Sequence, residues 1–441
     1  MLELFGSGLV TVWLNMAGVQ VKPLEALEAL TWQSTPGVVV LPDPNPVSKN
    51  TVQKYLQNLV KTKLIDTKLT QSQGIWMQSG PMLMANHQGK NPVPAASLTK
   101  IATSLVAFKT FGPDYQFETL IGTTGTIKNG VLFGDLIIQG GGDPLLVWEE
   151  AIAIGNSLNK MGIKQVKGNL VVVGNFAMNF QRNSTLAGQL FQQALNPSRW
   201  NRNITLQYSR MAKGTPKPQV EITGQVITQP EVAEKTSLLL RHRSLPMKRL
   251  IKEMNVFSNN DMAEMLAEAV GGTEILQTKA AQLARVPKSE IQLINGSGLG
   301  VENRISPRAA CAMLMAIQKE ALAHNLNVAD LFPTSGFDRR GTIMYGRNLP
   351  KATVIKTGTL NTVSALAGVL PTRARGLVWF AIVNRGHRIS AFRSQQDKLL
   401  DQLVKQLQVA PTTPAAITPH ADTKALPNLG AVNRNEVVQG G

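Results

Sequence analysis

Apolar residues at Val52, Leu56, Leu59, Val60 and Leu64 follow the three-and-four spacing of an amphipathic helix. Gly74–Gly80 and Pro81–Ala85 then read as paired strands. Ile101–Phe108 is an apolar run with no Gly or Pro before Gly112-Pro113, which predicts a buried helix starting near Ser97. The next stretch changes period. Thr126–Lys128 and Val131–Phe133 flank Asn129-Gly130, a favoured hairpin turn, and Gly168–Val173 is another strand-like run. Near the other end, the β-branched segment Lys351–Leu360 and the apolar Gly376–Val383 read as strands. Asp397–Leu407 closes the pattern as a helix through Leu399, Leu400, Leu403 and Leu407. Strands from both ends of the chain would share one antiparallel sheet backed by helices, with a helical part between them. That is an α/β chain of the α+β kind.

Composition narrows this picture. At 441 residues, with 43% hydrophobic and 17% charged positions, the chain can bury two or three cores, so disorder of the whole is excluded. Cys311 lies in the apolar, helix-like run Ala309–Leu314 and reads as a small core residue; a lone cysteine makes no intrachain disulfide. The five histidines have no ligand-like spacing, and no metal or cofactor is expected. The net charge of +17 raises the question of a polyanionic partner. Only 5% of residues are aromatic and no nucleic-acid motif is present, so nucleic acid is not expected. An anionic membrane or envelope surface is the other partner considered, against a basic surface that serves solubility alone. One local basic cluster stands at Arg241-His242-Arg243 with Lys248-Arg249.

Leu4–Val21 carries no charge and reads as a signal or anchor. Its flanks are unlike those of a standard export signal, since Glu3 precedes it, Lys22 follows it and no A-x-A site closes it. An amphipathic segment docked on the body is the alternative. Past Val409 the chain is rich in Pro, Thr and Ala with few large apolar residues, which reads as a disordered tail. Asp143, in Gly142-Asp143-Pro144, reads as a turn residue.

Three short motifs carry the chemistry: Ser97-Leu98-Thr99-Lys100, Ser258-Asn259-Asn260 and Lys356-Thr357-Gly358-Thr359. Taken singly they read as a helix-capping serine, a snorkelling lysine and a solvated amide pair. Together they make a site. On a helix, Ser97 and Lys100 share a face one turn apart. A serine hydroxyl becomes a nucleophile only when a base takes its proton, and a lysine is such a base once burial or a nearby cation lowers its pKa. Lys356 is expected to be that second cation. The Lys356 strand offers backbone to an extended peptide, with Gly358 permitting close approach, Thr357 and Thr359 bringing hydroxyls and Lys356 a charge suited to a carboxylate.

The S-x-x-K, S-x-N and K-T-G set resembles that of penicillin-recognising enzymes. Adding Pro94-Ala95-Ala96, Asn129–Leu136, Gly140–Pro144, Met254–Glu264, Asn295–Leu299 and Asn303–Pro307, the chain is similar, over about residues 50 to 405, to the D-Ala-D-Ala carboxypeptidases and endopeptidases called class C low-molecular-mass penicillin-binding proteins. The resemblance implies a β-lactamase/transpeptidase-like fold with an inserted β-rich domain. It divides the chain into an N-terminal apolar segment and linker (1–45), the catalytic domain (46–111 and 242–408), the insert (112–241) and the tail (409–441).

It also implies roles. Ser97 would be acylated, with Lys100 taking its proton. Ser258 would relay a proton to the leaving amine, and Asn260 would position Lys100 and the substrate amide. Lys356, Thr357 and Thr359 would hold the terminal carboxylate, Gly358 lying between them, and the backbone N–H groups of Ser97 and Thr359 would form the oxyanion hole. Peptidoglycan stem peptides would be the substrate and β-lactams the inhibitors, which places the protein outside the cytoplasm, in a periplasm or cell envelope.

The 161-residue interval from position 97 to 258 exceeds that of class A β-lactamases by about a hundred residues. After Asn260 no E-x-x-x-N supplies their deacylating glutamate; Glu290 and Glu302 stand at other spacings. A serine β-lactamase and a non-catalytic wall-peptide binder of the same fold are the alternatives. In one place the chain departs from its relatives. Where they carry a Trp- and acid-containing segment, it has Asn179–Thr185, which leaves side-chain recognition, and the balance of carboxypeptidase and endopeptidase work, open.

Overall fold

Strands from the two ends of the chain meet in one six-stranded sheet. In a computed structural model that describes residues 41–438 apart from 345, 346, 409 and 411, its order is Leu41–Pro42, Met82–His87, Gly74–Ser79, Gly376–Arg385, Val363–Thr372 and Val354–Leu360. All pairings are antiparallel except that of the short first strand. Helices cover both faces, so the central strands are buried throughout. Because successive side chains alternate, Ala365, Ala367 and Val369 face the core shared with helices Thr99–Phe111 and Pro307–Leu322. Leu366 and Leu370 face the core shared with Val47–Lys61 and Ile389–Leu407. Each such large side chain contributes about 1.5–3 kcal/mol when fully buried. Cys311 lies wholly inside, and burial pushes its thiol up.

The outer helices start before their sequence signals, at Val47 and Ile389, because half-buried turns continue ahead of the apolar stripe; the first stops at Lys61, short of the Leu64 that its spacing had included. The strand read from Lys351 starts at Val354, since Ala352 sits at φ 62 in a left-handed turn.

A second body interrupts the first. Its six-stranded sheet runs Val226–Gln229, Leu170–Asn175, Leu136–Gly141, Glu118–Thr123, Ser237–Arg243 and Asn435–Val437, and a smaller four-stranded sheet contains the hairpin at Asn129-Gly130. Lys128 pairs with Val131, and the turn residues take φ 50 and 84, as a two-residue type I′ connection requires. Trp148, Ile152, Phe176 and Phe191 centre its own core.

The described residues past Val409 are not the disordered tail that composition predicts. Ile417 is fully buried, and Gln318 Nε2 donates to Ala416 O at 2.8 Å. His420 N and Thr423 Oγ1 donate to Asp330 Oδ1 at 2.7 and 2.5 Å. Asn435–Val437 adds an antiparallel strand to Ser237–Arg243, while Arg434 reaches Glu150 at 2.5 Å. Such a strap needs no core of its own, because Thr423 and Arg434 find buried partners already in the body. Beneath it, His242 Nδ1 lies 2.6 Å from Asn435 Oδ1 and its Nε2 4.0 Å from Asp143 Oδ2. Burial raises Asp143 to about 7 and lowers His242 to about 4. Asp143 also makes the turn read for it, accepting from Leu145 N at 2.8 Å.

The segment Leu4–Val21 lies outside the described residues. No helix among those described is long and apolar enough to cross a membrane.

Candidate active site

Ser97 stands on a single 3₁₀ turn, Ala96–Leu98, that feeds the helix Thr99–Phe111, so the α-helix begins two residues later than the sequence signal. Ala96 takes φ 48, a conformation that costs a non-glycine residue about 1–3 kcal/mol and persists only where its surroundings impose it. Two glycines do so. A Cβ on Gly298 would fall 1.9 Å from Ala96 O, and one on Gly358 would fall 2.9 Å from Ala95 O and 3.2 Å from the Ala96 Cβ. Gly358 therefore admits the chain's own nucleophile turn, where the sequence had suggested close approach of a substrate. The flanking Ala96 and Leu98 are buried and Ser97 is half-buried, which leaves its hydroxyl at the cleft.

Lys100 is fully buried one turn into the helix. Its Nζ lies 3.2 Å from Ser97 Oγ and donates to Asn260 Oδ1 and to the Ser297 carbonyl, each at 2.7 Å. Burial lowers it to about 7, while Glu264 and then Asp261 pull the other way. A neutral amine has two N–H donors and one lone pair. The two carbonyl acceptors take both donors and leave the lone pair for the Ser97 proton.

Ser258 and Asn260 are placed by the break between two helices. Met247–Phe257 ends at Ser258, which takes φ 54, and Asn259 caps the next helix, Asn260–Ala269, by accepting from Met262 N at 3.0 Å. The middle residue of the motif makes the corner, and its neighbours point to the two lysines. Lys356, also fully buried, donates to Ser258 Oγ at 2.9 Å and to Thr357 O at 2.8 Å. Burial, and then the charge of Lys100, hold it well below the ordinary ammonium value. From the sequence, burial and Lys356 together were expected to depress Lys100; burial does so, while the charge effect runs from Lys100 to Lys356.

Thr357, Gly358 and Thr359 follow on the outermost strand of the sheet, with Thr359 exposed. Their free edge suits an extended peptide laid antiparallel to it. Six of the eight residues singled out from the sequence join in two chains of contacts, Ser97–Lys100–Asn260 and Ser258–Lys356–Thr357, while Gly358 packs against the Ser97 turn and Thr359 follows it on the strand. Among the described residues, no group of three or more His, Cys, Asp or Glu is placed to hold a metal.

Two supporting residues carried no role in the sequence reading. Ser297 gives Lys100 a carbonyl, and Glu264 fixes that loop by accepting from Gly296 N and Ser297 N at 2.9 and 3.0 Å. Both lie in segments with family resemblance, Asn295–Leu299 and Met254–Glu264, but a backbone acceptor leaves no side-chain signal. Glu290 is occupied elsewhere, accepting from Ser306 Oγ at 2.5 Å and pairing with Arg308. In the divergent segment Asn179–Thr185, Phe180 packs on the main core at φ 69 and Arg182 pairs with Glu268.

The chain is similar to known proteins over most of its length. A family model described as the D-Ala-D-Ala carboxypeptidase 3 (S13) family matches residues 56–178 and 175–407. The D-alanyl-D-alanine carboxypeptidase DacB of Haemophilus influenzae is 25% identical over 391 residues, spanning 67% of this chain and 80% of that protein. That of Actinomadura sp. (strain R39) is 27% identical over 238 residues, or 50% of this chain and 40% of that protein. Of solved structures, a penicillin G-acylated predatory endopeptidase of Bdellovibrio bacteriovorus bound to an immunity protein superposes with a TM-score of 0.66 at 23% identity, covering 80% of this chain and 98% of its own. Penicillin-binding protein 4 of Haemophilus influenzae gives 0.58 at 19%, covering 80% and 99%. At these identities the structural likenesses establish the fold.

Proposed function

The chain belongs to the D-Ala-D-Ala carboxypeptidase 3 (S13) family of serine-type hydrolases, and from that premise we propose that it acts on peptidoglycan stem peptides and how its own residues carry the reaction. Lys100 takes the Ser97 proton as Ser97 Oγ attacks the carbonyl of the penultimate D-alanine. Backbone N–H groups of Ser97 and Thr359 receive the oxyanion, the electrostatic contribution usually largest in acyl transfer. The proton passes through Ser258 Oγ to the leaving D-alanine amine, leaving an ester on Ser97. Water then hydrolyses the ester, with Lys100 again taking a proton. Penicillin would enter the same way and, with no second base beside the ester, leave slowly.

One observation carries this reading: the Lys100 amine has both of its donors taken and its remaining valence toward Ser97. A non-catalytic binder has no need of that arrangement. A β-lactamase would need a carboxylate free to activate water at the ester, but Glu264 and Glu290 are held by backbone and side-chain donors. The purified protein is expected to release D-alanine from a peptide ending in D-Ala-D-Ala while turning over penicillin slowly. Penicillin turnover of many per second would make it a β-lactamase; an acylated Ser97 without D-alanine release would make it a binder.

We also propose that the insert attracts the protein to an anionic envelope surface. The basic cluster noted in the sequence does not do this. Arg241 and Arg243 pair with Glu118 and Glu436, His242 is buried, Lys248 meets Asp114, and Arg249 is largely buried against Glu253. Between Glu150 and Glu221, however, the chain has no acidic residue, and Lys160, Lys164, Arg199, Arg202, Arg210 and Lys213 are exposed. Co-sedimentation with anionic but not neutral vesicles, lost at high salt, is expected; equal recovery with both would refute it.

A further inference from the structure

Lys356 is badly placed to be the counter-ion its motif suggests. It is fully buried, spends its contacts on Ser258 and on its own strand, and is pushed toward neutrality by burial and by Lys100. A substrate carboxylate arriving at the exposed strand edge would still need a full positive charge.

One stands there. Arg393, half-buried on the Ile389–Leu407 helix, directs its Nη2 to Thr359 Oγ1 at 2.7 Å. No acidic group lies within ion-pair distance of it among the described residues. Its position is set one turn further along the same helix. Gln396 Nε2 donates to Ser364 O at 3.0 Å and Asn384 Oδ1 at 2.9 Å, and Ser364 is the register partner of Thr359. Residues three apart share a helix face, so anchoring Gln396 over Ser364 brings Arg393 over Thr359. Its guanidinium offers a planar pair of donors that matches a carboxylate.

We propose that Arg393, with Thr359, binds the free α-carboxylate of the substrate's C-terminal residue, and so selects substrates ending in an acid. This deepens the function proposed above and rests on it. A peptide entering along the strand edge with its C-terminal carboxylate at Thr359 would meet the Arg393 guanidinium there.

The test uses an N-acylated tripeptide ending in Lys-D-Ala-D-Ala and the same peptide as its C-terminal amide. Arg393→Gln is expected to lower kcat/KM for the acid about 10- to 100-fold, the scale of a lost charge-assisted bond, and to leave the amide within about threefold. Arg393→Lys should recover part of the loss, because it restores charge without the fork. A loss shared equally by acid and amide, or no loss on the acid, overturns the proposal, since a merely structural role moves both together. If the wild type releases no D-alanine from the acid, the function above fails by itself. Arg393 is then judged by acylation rates with benzylpenicillin and its methyl ester, where the same selective loss is expected and an equal loss overturns it.

Discussion

Ser97→Ala is expected to abolish the penicillin adduct and to reduce D-alanine release on the order of 10⁶-fold, the scale reached when a serine nucleophile is removed. The loss is this large because the acyl ester forms on the hydroxyl beside Lys100, whereas Ser258 is engaged by Lys356 at 2.9 Å. Stability should barely change. Ser97 is half-buried, and Lys100 keeps both carbonyl acceptors without it. Intact-mass measurement after penicillin treatment, followed by peptide mapping, checks the assignment, and an adduct that survives the substitution refutes it.

Lys100→Met is expected to slow acylation by about 10²–10⁴-fold, the range of a lost general base. Methionine is close to lysine's stem in volume and unbranched, so the helix and its packing should hold. The pH profile gives the sharper test. The base works when unprotonated, and burial has brought Lys100 from its ordinary 10.5 to about 7. Wild-type kcat/KM should therefore rise through pH 7 and level off above it, and the variant should lack that limb.

Linkage predicts a second sign. Between pH 7 and 10.5 the unfolded chain binds a proton at this lysine that the folded chain does not, so this lysine's contribution to stability rises with pH across that window. The stability gap between Lys100→Met and wild type should move in the variant's favour as pH falls from 10.5 to 7, by a few kcal/mol at most. A wild-type rate profile flat around pH 7 would remove Lys100 from the role of base.

The motif residues were legible because each uses a side chain at a fixed local spacing. Ser97 and Lys100 lie one turn apart, Asn259 is a helix cap flanked by the two residues that matter, and the β-branched run before Gly358 is a strand. Ser297, Glu264 and Arg393 were not. Ser297 acts through its carbonyl, Glu264 through bonds to backbone donors 32 and 33 positions away, and Arg393 through a hydroxyl 34 positions away. None of these has a local pattern.

The C-terminal strap escaped for a related reason. Composition measures what a segment can bury by itself, whereas Ile417, Thr423 and Arg434 settle into places prepared by Gln318, Asp330 and Glu150.

By itself the sequence determined the elements and the candidate reactive groups: the β-branched and apolar end strands, the apolar helix after Ser97, the Asn-Gly hairpin, Ser97 and two lysines. Only the tertiary structure decided how the lysines divide their work. Desolvation depends on what closes over a side chain from distant parts of the chain. Burial within the fold lowers Lys100 toward neutrality, and it draws Lys356 inward while leaving Arg393 at the edge beside Thr359.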